Sequence, residues 1–264
     1  MWTGSVTHAL PGALIVWAIV FYRRPLLAGA MIGLAFGTIY YPVFLLPLWI
    51  SFYWQRGLWR FLIGAVTMVA GNLMALPQTN VKRLLAYSGI AHIGYMLLGV
   101  AAMSPFGVAV VLFYLVAYVF GNMGAFLVVE VLARAEGSET TSAFRGLAQR
   151  SPLLALAMLL FLLSLGGIPF VVGFWAKLYV FWAAAKAGLY LLVLLGAVLT
   201  VVALFYYLLV AKRMYIEAPE RTDRVPVAPT LALSVALCAI GVVVLGLYPK
   251  GVVMAALRVA APLF

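Results

Sequence analysis

A single lysine, Lys177, sits inside one of the oiliest stretches of the chain, LSLGGIPFVVGFWAKLYVFW at residues 163–182. Placing a lysine near the middle of a bilayer costs roughly 2.5–3.5 kcal/mol, so a chain that keeps one there has a use for it. An amine surrounded by Phe174, Trp175, Tyr179 and Phe181 is desolvated, and desolvation disfavours the charged form, which suits a group that loads and releases a proton. The other reading is a lysine that snorkels to an interface from a helix end. Residues 178–182 continue the apolar run beyond it, and this favours the proton carrier. Gly166, Gly167 and Pro169 precede the lysine. Glycine loosens a helix, and proline removes a donor and clashes with the turn before it. Residues 152–181 as one helix would run about 45 Å, well beyond a hydrocarbon core of about 30 Å. A discontinuous helix is therefore expected. Broken backbone at membrane depth is tolerated where it is buried in protein or faces water.

The second group of chemically capable residues lies in KRLLAYSGIAHIGY, residues 82–95. Ser88, His92 and Tyr95 are spaced by four and three and share one helix face, with Tyr87 nearby. An imidazole titrates near neutrality and can pass protons along such a face; the alternative is hydrogen-bond glue between helices. Lys82 and Arg83 read as boundary anchors. Tyr114, Tyr118 and Asn122 recur every four residues and form a polar stripe that lines water or stitches helices. Glu130 is the only acid inside a predicted span. Its position fits a buried relay or a helix end beside Arg134. Phosphate loops, paired Cys/His metal spacings and nucleophile elbows are absent from the sequence, so no metal site, redox cofactor or nucleic-acid role is expected. Cys238 stands alone and excludes an intrachain disulfide.

The elements that must position these residues follow from composition. Of 264 residues, 67% are hydrophobic and 9% charged, and most apolar runs have the length of a helix that crosses a bilayer. The predicted fold is an all-α polytopic membrane protein of about eight spans, at 9–22, 26–50, 60–76, 84–102, 106–132, 152–181, 189–211 and 227–247. The first run lacks the preceding charges of a signal peptide and is followed by Arg23 and Arg24; it reads as a retained span. The net charge of +11 reflects Lys and Arg at span ends. Arg23, Arg24, Lys82, Arg83, Arg134, Arg145, Arg150, Lys212, Arg213, Arg221 and Arg224 fall on one side; Arg56, Arg60, Lys186, Lys250 and Arg258 fall on the other. The heavier side should be cytoplasmic, with both termini opposite. The loops at 133–151 and 212–226 hold five of the six acids and read as solvated connections. The tail, residues 251–264, is expected to form a short interfacial helix.

Several motifs carry a resemblance. GNLMALPQTNVKRLLAYSGIAHIGYMLLG, FYLVAYVFGNMGAFLVV, FRGLAQRSPLLALAMLLFLLSLGGIPFVVGFWAKLYVF and YYLLVAKRMY resemble, in order and spacing, the C-terminal half of the subunit N family of bacterial NADH-quinone oxidoreductase, complex I. The resemblance covers roughly residues 61–250. Related proteins are complex I subunits L and M and Mrp-type cation/proton antiporter subunits. Asn80, where these relatives usually have aspartate, and Lys177, where subunit M typically has glutamate, favour subunit N.

The resemblance implies one five-helix antiporter-like repeat, with Lys177 as its broken-helix lysine and His92 on the proton path, followed by the family's last helix. Tyr87, Ser88, Tyr95, Tyr114, Tyr118, Asn122 and Glu130 are then possible lining residues. It further implies a proton-translocating subunit of the bacterial inner membrane, set among other complex I membrane subunits, with NADH, flavin, iron-sulfur clusters and quinone in partner subunits and no cofactor in this chain. Residues 1–60 depart from the pattern and are expected to form a divergent transmembrane segment; 23–60 look more like a span of a polyprenol-dependent membrane glycosyltransferase. The glutamate and lysines of the family's first repeat have no counterpart: no acid precedes Glu130 and no lysine precedes Lys82. A fragment, a fusion or a short form is expected, one that does not pump autonomously. Gly89 and Phe170 replace a serine and a proline that are usual in the family.

Overall fold

A computed structural model describes residues 57–221 and 223–263; the predicted spans at 9–22 and 26–50 lie outside the described residues. Helix α1 (Gly57–Ala75) is followed by α2 (Val81–Ala101) and α3 (Pro105–Glu136). The broken pair α4 (Pro152–Gly166) and α5 (Val172–Lys186) comes next, then α6 (Tyr190–Tyr215), α7 (Pro229–Leu247) and α8 (Lys250–Ala260). Their ends obey local rules. The Asn80 side chain accepts from the Arg83 amide at 2.9 Å and starts α2. Ser104 does the same for Gly107 at 3.0 Å, with Pro105 in the first turn of α3. Gly137, at φ 67°, closes α3 in the left-handed conformation.

α3 is the central helix and packs against α2, α4, α5, α7 and α8. α1 lies along α2, and α6 closes the group by packing on α1, α4, α5 and α2. α1, α2, α3, the broken pair and α6 thus pack into one connected group. Among the described residues, α2, α3, α6 and α7 are long and apolar enough to cross a membrane on length and composition. Large apolar side chains such as Leu194, Val201, Leu237 and Val244 are exposed on α6 and α7, as befits helices whose outer faces meet lipid rather than water. The chain is thus a multi-pass membrane protein whose elements, among the described residues, are all helical. At the far end of the chain, α8 lays Ala256 and Ala260 against Val108 and Ala109 near the start of α3, in keeping with the short helix expected of the tail.

The 133–151 connection is more structured than a solvated loop. α3 runs on to Glu136, a 3₁₀ turn spans Thr141–Phe144, and a helical turn spans Leu147–Arg150. Phe144 and Leu147 are fully buried, which anchors the connection to the core. The buried Arg150 guanidinium bonds the Glu136 carboxylate and donates through Nε to the Asp223 carbonyl at 2.9 Å, so the two long connections are tied to each other. Arg145 adds bonds to Glu217 at 2.9 Å and Glu220 at 2.5 Å. The start of α2 is held there too. Asn80 and Thr140 form an isolated β-bridge, and Lys82 Nζ lies 2.6 Å from Glu139 Oε1. The hydrogen-bonded Lys82 ammonium holds the Glu139 carboxyl below its ordinary value of 4.5.

Candidate functional site

The helix break is built as the sequence demands. Gly167, at φ 84°, ends α4, and the Gly167 and Ile168 amides both donate to the Leu163 carbonyl, at 2.9 and 3.0 Å, in a Schellman-type closure. Pro169 and Phe170 then lead the chain round. Phe170 takes a left-handed φ of 76° and is 83% exposed, a conformation that favours glycine. α5 starts alongside the end of α4. Its Gly173 amide donates to Ser164 Oγ at 3.2 Å, and the Ser164 carbonyl occupies the space a Cβ on residue 173 would need. The two half-helices therefore overlap, and only glycine lets them come so close. Trp175 Nε1 donates to the Gly246 carbonyl at 2.8 Å and fixes α5 to α7.

That overlap aims Lys177 back at the end of α4. Its Nζ donates to the Leu165 carbonyl at 2.9 Å and the Gly166 carbonyl at 3.1 Å. These are two of the carbonyls a helix leaves unpaired at its C-terminus, where the helix dipole is negative. The residue is only 4% exposed, so it does not snorkel. Among the described residues no carboxylate pairs with it, and its remaining neighbour is the face of Tyr95, 5.0 Å from Nζ to the ring centroid.

His92 occupies the middle of α2, also 4% exposed. Nδ1 lies 2.8 Å from the Tyr114 hydroxyl and Nε2 lies 3.4 Å from the Tyr207 hydroxyl, with proton positions set by the tautomer. The Tyr95 and Tyr118 rings stand 5.9 and 5.1 Å from the imidazole. A small pocket bounded by His92, Tyr114, Tyr118, Ser164 and Gly173 connects the imidazole to the helix break. Gly89 makes room for Tyr118, whose hydroxyl comes within 2.8 Å of where a Cβ would stand.

Not every residue singled out in the sequence gathers here. Ser88 is buried, donates to the Leu85 carbonyl at 2.8 Å and stands beside the Tyr207 hydroxyl, so it does border the site. Tyr87 is half-buried. Asn122 is half-buried, with its side-chain oxygen enclosed and free of protein partners. Glu130 lies in an exposed pair with Arg134 at 2.7 Å. Conversely, Asn72, Ser164, Tyr206 and Tyr207 are buried polar groups of the same interior that spacing does not reveal. Tyr206 donates to Asn72 Oδ1 at 3.2 Å. The assembly offers a buried amine, an imidazole and several phenols, which can relay protons. Among the described residues no three His, Cys, Asp or Glu side chains cluster as a metal would require.

Comparison with known proteins identifies relatives of the chain. The family described as NADH:quinone oxidoreductase/Mrp antiporter, TM matches residues 16–203, a span that begins inside the segment set apart by sequence. A subunit N of NADH-quinone oxidoreductase from Moorella thermoacetica is 43% identical over 203 residues, which is 76% of this chain and 43% of the relative. A Sorangium cellulosum subunit N 2 is 47% identical over 72% of this chain and 39% of its own length. The chain thus spans about two fifths of these curated relatives. A chain of respiratory complex I from Thermus thermophilus superposes with a TM-score of 0.69 at 29% identity, over 95% of this chain and 67% of its own. One from an Mrp complex of Dietzia sp. superposes at 0.74 with 22% identity, over 90% of this chain and 53% of its own, a likeness of fold.

Proposed function

The chain belongs to the NADH:quinone oxidoreductase/Mrp antiporter transmembrane family, and from that premise we propose that it is a proton-translocating membrane subunit of the NADH-quinone oxidoreductase type, with Lys177 as the group that takes up and releases the proton. The observation that carries this reading is the Lys177 amine, enclosed at a helix break and facing two backbone carbonyls. As an ammonium it faces, among the described residues, the partial negative charge of a helix end, about half an electron charge, and the Tyr95 ring, with no carboxylate. A charge arriving or leaving nearby then tips it between its two protonation states. His92 is the exchange partner, Tyr114 and Tyr207 orient its two nitrogens, and the Ser164 pocket is the hydrated stretch between imidazole and break.

A lone lysine moves no net protons. The changing charge has to come from other membrane subunits, and the redox energy from partners that carry NADH, flavin, iron-sulfur clusters and quinone. In this reading residues 61–250 are the antiporter-like unit, 1–60 a divergent segment and 251–264 a tail. The end of the bundle bearing Lys82, Arg134, Arg145 and Arg213 faces the cytoplasm, and both termini face away from it. Asn80 and the subunit N relatives favour this assignment over an Mrp-type antiporter subunit. The test is NADH-driven proton uptake by membrane vesicles that carry the assembled complex with Lys177→Gln, which keeps a donor for the carbonyls but cannot hold a proton. Uptake should collapse while the subunit remains assembled; undiminished uptake would reject the role of Lys177.

A further inference from the structure

Tyr95 presents a problem that the proton path through His92 leaves unsolved. The residue is fully buried, yet its hydroxyl has no hydrogen-bond partner in the protein. Leaving such a group unpaired costs about 1–3 kcal/mol, and buried phenols ordinarily find a partner. The polar side chains nearest the hydroxyl are Asn72 of α1 and Thr200 of α6, yet neither reaches it with hydrogen-bond geometry. Their other bonds are already assigned. Asn72 Nδ2 donates to the Met68 carbonyl at 2.8 Å and its Oδ1 accepts from Tyr206. Thr200 donates to the Gly196 carbonyl at 2.9 Å. The amide oxygen and the threonine oxygen keep lone pairs, and the phenol keeps its proton.

Resting on the proposed function, we infer that these three oxygens, one each from α1, α2 and α6, hold a buried water that accepts from Tyr95 and donates to Asn72 and Thr200. Three bonds to otherwise unsatisfied groups are what a structural water needs. The site does two things for Lys177. It anchors the Tyr95 ring beneath the ammonium, which makes Tyr95 a positioning residue. It also extends the polar interior in an arc, from Tyr95 through the water and Asn72 to Tyr206, whose ring packs 4.7 Å from that of Tyr207, the second hydroxyl on His92. Ring contacts rather than hydrogen bonds close this arc at Lys177 and at Tyr207, so it ties the positions of the amine and the imidazole together.

Two measurements on the assembled complex test this. A density map that resolves ordered waters should show one within bonding distance of Tyr95 Oη, Asn72 Oδ1 and Thr200 Oγ1; well-ordered side chains with no density between them would overturn the site, whatever Lys177 proves to do. In the second, Tyr95→Phe, which keeps the ring and its volume, should slow NADH-driven proton uptake about tenfold, the rate equivalent of one lost hydrogen bond, and shift its pH profile. Thr200→Val combined with it should add little, since both remove the same water. If Lys177→Gln abolishes uptake while Tyr95→Phe keeps the wild-type rate and pH profile, the water site fails and the proton-carrier reading stands. A Tyr95→Phe variant that keeps normal uptake and pH profile refutes the proposal whether it unfolds more readily or not, since the water then does nothing for Lys177.

Discussion

His92 depends on the hydroxyl of Tyr114 more than on any other single group, because at 2.8 Å it is the closer of the two hydroxyls on the ring. Tyr114→Phe should leave a buried nitrogen unpaired at a cost of about 1–3 kcal/mol, visible as a lower unfolding temperature, and should slow proton uptake as well. Glu130 belongs to the opposite category. Its pairing with Arg134 is solvent-exposed, and exposed pairs contribute about 0–1 kcal/mol, so Glu130→Gln should leave both uptake and stability near wild type. Sequence spacing left Glu130 open between relay and surface, because a helix of this length places its last turns in lipid or in water according to where the helix sits. The same spacing put Ser88, His92 and Tyr95 on one face of α2, since a 3.6-residue period is a local property. It was silent about Asn72, Ser164, Tyr206 and Tyr207, which reach the site from α1, α4 and α6. Only packing brings them to His92 and Lys177.

At the scale of elements, the break between α4 and α5 was written in Gly166, Gly167 and Pro169, each disfavouring a continuous helix for its own reason. What the sequence concealed is that the two halves overlap, and that overlap, rather than the break, brings Lys177 to the Leu165 and Gly166 carbonyls. Gly173→Ala probes it directly. The added methyl meets the Ser164 backbone, and backbone cannot yield as a side chain can, so a loss of about 1–3 kcal/mol is expected in thermal unfolding of the detergent-solubilised protein, together with loss of uptake. The 133–151 connection read as solvated because it is rich in charge and hydroxyls. Phe144 and Leu147 pin it down, and Glu136 with Arg150 supplies an enclosed ion pair, with side chains 10% and 7% exposed. Glu136→Ala strands the guanidinium and should cost about 3 kcal/mol. Glu139 gives a pH signature at the same end. Its carboxyl is held below 4.5 by Lys82, so the stabilisation is fully present above 4.5 and is lost as pH falls through the lower, folded value. The acid limb of a stability profile should therefore flatten in Glu139→Gln.

Across the whole molecule, charge and lipid divide the surface between them. The described ion pairs gather where α2 begins and where α3 and α6 end, whereas the outer faces of α6 and α7 are apolar along their length. The sidedness proposed from the lysines and arginines is open to labelling. With Cys238→Ser as background, Gln149→Cys and Ala187→Cys, both at exposed positions, should react with an impermeant maleimide from opposite sides of the membrane, Gln149→Cys from the cytoplasm. The existence and order of these helices were legible because an apolar run of bilayer length admits few other folds. Their neighbours were not, because small and apolar residues pack against many surfaces equally well. α3 touches most of the others and is also the longest of the described helices, an unbroken rod of 32 residues. Tyr114 lies within its first third and Glu136 at its far tip, roughly 33 Å apart along the axis. The anchored end of the bundle and the imidazole buried in its middle therefore hang on one and the same element.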